Sequence, residues 1–224
     1  FAMAQQDVRY YLNGMLWELS GKQLRVVATD GHRLALCTLP EKVEANGDTQ
    51  VILPRKGVLE LSRLLLDEDE KIAIVIGSNH IRATTNDFTF TSKLVDGKCP
   101  DYQRVLPRSP SKIVLGPRLE LRQAFSRTAI LSNEKYRGVR LKLSDNSLDI
   151  LANNPEQEEA EEVVPVEYQG EPLEIGFNVS YLLDVLGVLS GEQVKLSLSD
   201  PNSSALLEES DAGDSVYVVM PMRL

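Results

Sequence analysis

Apolar and polar residues alternate along most of the chain, and this pattern predicts many short strands that each bury one face. In the first half the predicted strands are 11–19, 23–29, 32–39, a short one ending at Leu53, 71–77, 80–85 and 88–94. In the second half they are 138–143, 148–153, 161–168, 173–177, 193–198, 204–208 and 216–222. Residues 1–8 are typical of the last turn of a helix and lack an initiator Met, so we expect an N-terminal truncation.

Three segments have the spacing of helices instead. Pro54 and Pro117 open two of them at the first-turn position that proline prefers. The third starts after the N-cap Asn178, ends before Gly191, and is apolar enough to be nearly buried. The first helix carries apolar Val58, Leu61 and Leu65 on one face, and the second carries Leu121, Phe125 and Thr128. The basic residues on other faces are Arg55, Lys56, Arg63, Arg118 and Arg122.

A constant offset of 124 residues, the difference between Gly14 and Gly138, aligns the two halves of the chain. It sets 20–28 against 144–152 with every apolar position matched. A chance match of turn and strand patterns is the alternative. We interpret the halves as two copies of one unit, at 1–102 and 103–224, with the proline-rich stretch 97–110 as the connector.

Composition narrows the class of protein. A net charge of −9 argues against nucleic acid, but the acidic residues concentrate in 67–70, 156–162 and 208–214 while basic residues lie on the predicted helices. Cys37 and Cys99 make neither a disulfide framework nor a metal quartet, and we expect no cofactor. With no apolar run long enough to span a bilayer, the expected location is the cytoplasm.

Catalytic motifs are scarce. Asp30, His32 and Cys37 lie close in sequence, so a hydrolase with a cysteine nucleophile remains an alternative function. Asp30-Gly31 is more typical of a turn that carries His32 and Arg33 on the surface.

Longer stretches carry more information. They are ATDGHRLAL, VILPRKGVLEL, FTSKLVDGKCPDYQRVLP, AILSNEKYRGVRL, ANNPEQEEAEE, IGFNVSYLLDVL and the terminal YVVMPMRL. Together, and in order over nearly the whole chain, they resemble the β subunits of bacterial DNA polymerase III, the replicative sliding clamps. The resemblance implies an α+β DNA-clamp fold made of the middle and C-terminal domains of a three-domain subunit. Each domain would have antiparallel sheets outside and two helices inside, with the first helix of the first domain largely missing.

The resemblance further implies a non-catalytic accessory subunit that confers processivity by encircling duplex DNA. Two full-length subunits would close head to tail into a ring, whereas this fragment would be mainly monomeric. The residues expected to face DNA are Gln6, Arg9, Tyr10, Tyr11, Arg55, Lys56, Arg63, Arg118 and Arg122. Simple solubility is the alternative for each basic residue, and a core position is the alternative for one of the two tyrosines.

In the family a groove between the middle and last domains receives short linear peptides from polymerases, the clamp loader and repair proteins. Carried onto this sequence, its walls are Leu12, Thr29, Gly31, His32, Arg33, Leu34, Pro100, Arg104, Val105, Tyr136, Asn178, Tyr181, Ser204, Val218, Val219, Met220, Pro221, Met222, Arg223 and Leu224. Methionines suit several related ligands, and His32, Arg33 and Arg104 can bond an extended backbone. Ordinary strand packing of the Met-Pro-Met tail, and a peptide adaptor that never binds DNA, remain the alternatives.

Overall fold

The computed structural model describes residues 1–66, 69–98, 100–211 and 213–224. They divide into two compact units, Phe1–Asp101 and Tyr102–Leu224. Cys99 and the first half of the acidic run 67–70 lie outside the described residues. Each unit combines antiparallel sheets with helix, so the predicted α+β class is confirmed.

Unit 1 contains two antiparallel sheets and, among the described residues, one α-helix. The strands are β1 (Gly14–Ser20), β2 (Gln23–Thr29), β3 (Arg33–Thr38), β4 (Thr49–Pro54), β5 (Ala73–Ile76), β6 (His80–Thr84) and β7 (Thr89–Lys93), and the helix is α1 (Arg55–Leu64). Within the unit the sheet orders are β4-β1-β2-β3 and β5-β6-β7. Leu61 of α1 packs with Leu53 and Ile81 in the core of this unit.

Unit 2 has the same plan with one more strand and one more helix at its start. Its elements are β8 (Lys112–Pro117), α2 (Arg118–Ala129), β9 (Gly138–Ser144), β10 (Ser147–Asn153), β11 (Glu159–Pro165), β12 (Leu173–Asn178), α3 (Val179–Val188), β13 (Gln193–Leu198), β14 (Ala205–Glu209) and β15 (Ser215–Val219). Within the unit the sheet orders are β11-β10-β9-β12 and β15-β14-β13-β8. Both helices pack on one large apolar core.

The internal repeat is confirmed by the strand registers as well as by the elements. Gly14 pairs with Pro54 between β1 and β4, and Gly138 pairs with Asn178 between β9 and β12, which are the positions that the 124-residue offset connects. The helices α1 and α3 are separated by the same offset. The apolar alternation therefore encoded one topology twice.

The predicted helix starts were one residue early. Pro54 and Pro117 each adopt extended backbone, with ψ of 149° and 113°, so each ends a strand and precedes the helix. The buried face predicted for α2 is confirmed, with Leu121, Phe125 and Thr128 all buried. By contrast α3 is only half-buried, because Val188 and its neighbours on one face are exposed.

Both ends of the chain also differ from the prediction. Residues 1–8 form no helix, since Ala2 and Met3 are instead buried beside Ala28, and the Ala4 amide donates to the Leu12 carbonyl. The strand expected at 216–222 ends at Val219. A proline follows at 221, and proline has no amide to donate to the ladder. Among the described residues no helix is long and apolar enough to cross a membrane.

Candidate functional site

A tight loop of unit 1, residues 29–34, carries the first group of predicted site residues and is held by its own side chains. The Asp30 carboxylate accepts from the backbone amides of His32 (2.9 Å) and Arg33 (3.1 Å) and from Arg33 Nε (3.2 Å). The Thr29 hydroxyl accepts from the Gly31 amide and donates to the Arg33 carbonyl. Gly31 has a φ of +89°, a region that favours glycine. The loop is therefore preformed, with His32 exposed and Leu34 buried.

The segment 6–12 of unit 1 lies against this loop. Arg9 donates to Asp7 through Nε (3.0 Å) and through a terminal nitrogen (2.8 Å), and this ion pair lowers the pKa of Asp7 to about 2. A Cβ on Gly31 would lie 3.3 Å from the Arg9 guanidinium. Tyr10 is exposed and stacks edge-on against the half-buried Tyr11, with ring centroids 6.3 Å apart. Predicted DNA-facing residues and peptide-facing residues thus meet on one surface of unit 1.

In unit 2 the C-terminal tail, residues 220–224, leaves the sheet after β15. Val218 and Val219 are buried in the strand, whereas Met220 is 41% exposed and Leu224 is 56% exposed. The Met222 amide donates to the Gly176 carbonyl (2.8 Å), which forms an isolated bridge to the edge strand β12. The end of the chain is therefore fastened to a second sheet of the same unit.

Two glycines make room for this tail. A Cβ on Gly176 would lie 2.6 Å from the Met222 carbonyl oxygen and 2.8 Å from two carbons of Leu224. A Cβ on Gly138 would overlap the Leu224 side chain and lie 3.5 Å from the Met222 sulfur. Bare backbone at both positions lets apolar side chains of the tail lie directly on the sheet.

Three predicted site residues of unit 2, Tyr136, Asn178 and Tyr181, lie at or near the start of α3. The Asn178 side chain caps α3 by accepting from the Ser180 amide (2.9 Å). Arg137 joins this helix to the preceding loop, because its side chain donates to the Ser180 hydroxyl and the Ala129 carbonyl. Tyr136, in the same loop, is exposed. Of the others, Arg104 and Val105 are exposed, Ser204 is partly exposed, and Tyr181 packs against the core.

Three of the five basic residues predicted on the helices are exposed. Lys56 and Arg63 on α1 and Arg122 on α2 are exposed, and Arg63 forms an ion pair with Glu60 at 3.0 Å. Arg55 is half-buried, and its Nε has no hydrogen-bond partner among the described residues. The exposed side chains of Lys56, Arg63 and Arg122 can contact phosphates without reading base sequence.

Arg118 belongs to a different class. Its side chain donates to the Gly191 carbonyl (2.7 Å) and the Leu186 carbonyl (3.1 Å) at the end of α3. The Glu209 carboxylate accepts from the amides of Ser190 and Gly191 in the same turn. Arg118 and Glu209 therefore both fasten the turn that ends α3.

The geometry does not support a hydrolase built from Asp30, His32 and Cys37. Asp30 uses its carboxylate on two backbone amides and Arg33. Cys37 lies four residues beyond Arg33 along an extended strand, a separation of about 13 Å at the usual rise. Within the described residues, no three His, Cys, Asp or Glu side chains are grouped as a metal site would require.

Comparison with known proteins accounts for both units at once. The family model for the central domain of the DNA polymerase III beta subunit matches residues 1–101, and the model for its C-terminal domain matches residues 103–223. This chain belongs to the DNA polymerase III beta subunit family. The resemblance drawn from the sequence is confirmed.

Relatives within the family are similar along the whole chain. The chain is 69% identical to the beta sliding clamp of Pseudomonas aeruginosa over 224 residues, which are 100% of this chain and 61% of that protein. The Escherichia coli K12 clamp is 58% identical with the same coverage. The crystal structure of the Pseudomonas aeruginosa clamp with ligand has a TM-score of 0.98, again covering 100% of this chain and 61% of that one. The chain thus spans about three fifths of the length of these beta subunits.

A more distant structure retains the fold. The sliding clamp of Bartonella birtlesii bound to griselimycin is 39% identical, with a TM-score of 0.95 over 100% of this chain and 61% of that chain. A beta-subunit fold thus persists although most residues differ.

Sequence reasoning missed Asp7, Gly138 and Gly176. For the glycines a signal was present, because a glycine inside a strand often marks a close approach of other backbone. For Asp7 the signal was a carboxylate two residues from Arg9 in a polar segment.

Proposed function

We propose that this chain is the central and C-terminal part of a non-catalytic sliding clamp. The whole protein would form a homodimeric ring around duplex DNA and confer processivity. Polymerases, the clamp loader and repair proteins would bind to it through short linear motifs. The observation that carries this proposal is the match of both units, in order, to successive domains of the beta subunit family.

The proposed DNA-facing residues include exposed cations on the helices as well as the exposed Arg9. Lys56 and Arg63 on α1 and Arg122 on α2 are exposed, so their cations are available for phosphate contact although the net charge of the chain is −9. Such contacts depend steeply on salt and little on sequence. Arg118 contributes to the position of α3, because its donors already bind backbone carbonyls.

The proposed peptide-binding surfaces are the 29–34 loop on unit 1 and the C-terminal tail on unit 2. The loop offers His32 and Arg33 beside a fixed backbone, and the tail offers partly exposed Met220 and Met222. Burying one Leu or Phe side chain contributes roughly 1.5 to 3 kcal/mol. Two such anchors, less the cost of ordering a peptide, give binding on the order of micromolar, which permits exchange of partners.

A charge reversal tests the DNA-facing assignment. The variant Lys56→Glu with Arg63→Glu should bind a short duplex of mixed sequence more weakly, with a salt slope shallower by about 0.9 for each lost phosphate contact. Arg82→Glu with Lys93→Glu is the matched control, since both residues are exposed on strands of the same unit and the net charge changes equally.

Equal weakening in the control and the test variant would show that only net charge matters. Peptide affinity should be the same in both variants. A chain that binds peptide but shows no salt-dependent duplex binding at all would instead be a peptide adaptor.

A further inference from the structure

The ion pair between Asp7 and Arg9 connects two surfaces of unit 1 that the family resemblance keeps apart. The resemblance places Arg9 among the residues expected to face DNA and Gly31 in the wall of the expected peptide groove. In the structure the Arg9 guanidinium lies beside Gly31, so that a Cβ there would be 3.3 Å from one terminal nitrogen and 3.6 Å from the other. One cation is therefore placed where it can affect both ligands.

Asp7 fixes Arg9 in this position. Its two carboxylate oxygens accept from Arg9 Nε (3.0 Å), from a terminal nitrogen (2.8 Å) and from the Arg9 backbone amide (2.8 Å). Asp7 is fixed in turn, because Asn13 accepts from the Asp7 amide and donates to the Asp7 carbonyl, both at 2.9 Å. A bidentate pair of this geometry is specific as well as strong for its exposure.

We propose that Asp7 is a positioning residue that holds Arg9 against Gly31, and that a DNA phosphate engages Arg9 only by displacing the Asp7 carboxylate. This inference rests on the proposed function, since it assumes that duplex DNA and peptide are the ligands. Phosphate and carboxylate compete for the same planar fork of donors. Displacement moves Arg9 away from Gly31, so DNA binding changes the 29–34 loop. The loop and the DNA-facing segment are thereby coupled within one unit.

The coupling has a signature in salt dependence. In the wild-type chain Arg9 is already neutralised by Asp7, so exchanging one anion for another releases no additional counterion. In Asp7→Asn the cation is free, and a phosphate contact by Arg9 adds one neutralised phosphate. The salt slope of duplex binding should then be steeper by about 0.9, with tighter binding at low salt.

The substitution leaves the local backbone supported. Both bonds to Asn13 use the main chain of residue 7, so an asparagine there retains them. Arg9→Gln removes the cation and is the second variant. The double variant completes a cycle that isolates the interaction of the two side chains.

The experiment measures binding of a short mixed-sequence duplex to the 224-residue chain and its three variants over a series of salt concentrations. It also follows the Gly31 amide and the Arg9 Nε–H by NMR. Asp7→Asn should steepen the slope, and Arg9→Gln and the double variant should not. Adding duplex to the wild-type chain should shift the Gly31 amide, and Arg9→Gln should abolish that shift.

Two results overturn the inference, and they differ in what they say about function. If wild type binds the duplex but Asp7→Asn has the same slope and the Gly31 amide does not respond, the pair is only structural and the proposed function stands. If neither the wild-type chain nor Asp7→Asn binds the duplex at low salt, the DNA-binding role and this inference both fail.

Discussion

Replacing Gly176 with alanine should detach the C-terminal tail while leaving the rest of unit 2 folded. The new Cβ would lie 2.6 Å from the Met222 carbonyl oxygen and 2.8 Å from two Leu224 carbons. Backbone cannot yield there without loss of the bond from the Met222 amide to the Gly176 carbonyl. We therefore expect the tail, and not β12, to move.

The magnitude follows from what the tail loses. Full burial of a Met or Leu side chain contributes roughly 1.5 to 3 kcal/mol, and Met222 and Leu224 are each only partly buried, so about half of that applies to each. The lost hydrogen bond adds about 1 kcal/mol. The upper bound is about 4 kcal/mol, and partial resettling of the tail leaves an expected loss of about 1 to 2 kcal/mol in the free energy of unfolding.

Three assays follow this change. Urea denaturation measures stability, carboxypeptidase digestion measures how accessible Leu224 has become, and calorimetry measures the affinity of a Gln-Leu-x-Leu-Phe peptide. We expect faster digestion and about tenfold weaker peptide binding, equivalent to about 1.4 kcal/mol.

Gly187→Ala is the matched control. It is the same chemical change at an exposed position of α3, where a Cβ would meet nothing within 4 Å. Because alanine favours helix, it should stabilise the chain by about 0.5 to 1 kcal/mol and leave the tail unchanged. If Gly176→Ala is folded, digests at the wild-type rate and binds peptide normally, the glycine does not seat the tail.

Other side chains give predictions that separate structural roles from ligand-binding roles. Arg118→Gln should lower the free energy of unfolding by about 1 to 3 kcal/mol without changing the salt slope of duplex binding. Arg122→Gln, at an exposed position, should change the free energy of unfolding by less than about 0.5 kcal/mol. Urea titration measures both variants, and equal stability would refute the role of Arg118 in fastening the end of α3. Asn178→Ala should cost about 1 kcal/mol through loss of the α3 cap, measured by thermal unfolding, and an unchanged melting temperature would contradict it. Hydrogen bonds from Arg9 lower the pKa of Asp7 to about 2. The stabilisation by the ion pair is therefore present above the ordinary carboxyl pKa of 3.8 and is lost as the pH falls through about 2. NMR titration of the Asp7 carboxyl carbon measures this, and a midpoint near 3.8 would refute it.

Much of the fold could be predicted because it depends on local patterns. Alternation fixed where strands form, and the 124-residue offset aligned even the pairing of β1 with β4 and β9 with β12. Helix starts at Pro54 and Pro117 were misplaced because proline fixes φ but leaves ψ free, and only the ψ value decides whether the residue ends a strand or begins a helix.

The candidate site was less predictable because its contacts are distant in sequence. A sequence presents Arg118 as one more surface cation, although its partners are the carbonyls of Leu186 and Gly191, 68 and 73 residues away. Likewise a glycine inside a strand at position 176 indicates a close approach of other backbone, but it does not indicate that Met222 is the residue that approaches. Loop 29–34 was the exception, since its Asp-Gly turn is a local feature that the structure retains.

The most direct test of the proposed peptide-binding role of the tail is the affinity of a Gln-Leu-x-Leu-Phe peptide for the 224-residue chain and for the same chain without its last five residues, Met220 to Leu224. We expect micromolar binding to the first and at least tenfold weaker binding to the second, with duplex binding at low salt unchanged. Met220→Ala, which changes only one exposed side chain, should weaken peptide binding by a smaller factor and guards against loss of folding in the deletion. Equal peptide affinity in all three folded proteins would contradict the claim that the tail binds partner peptides.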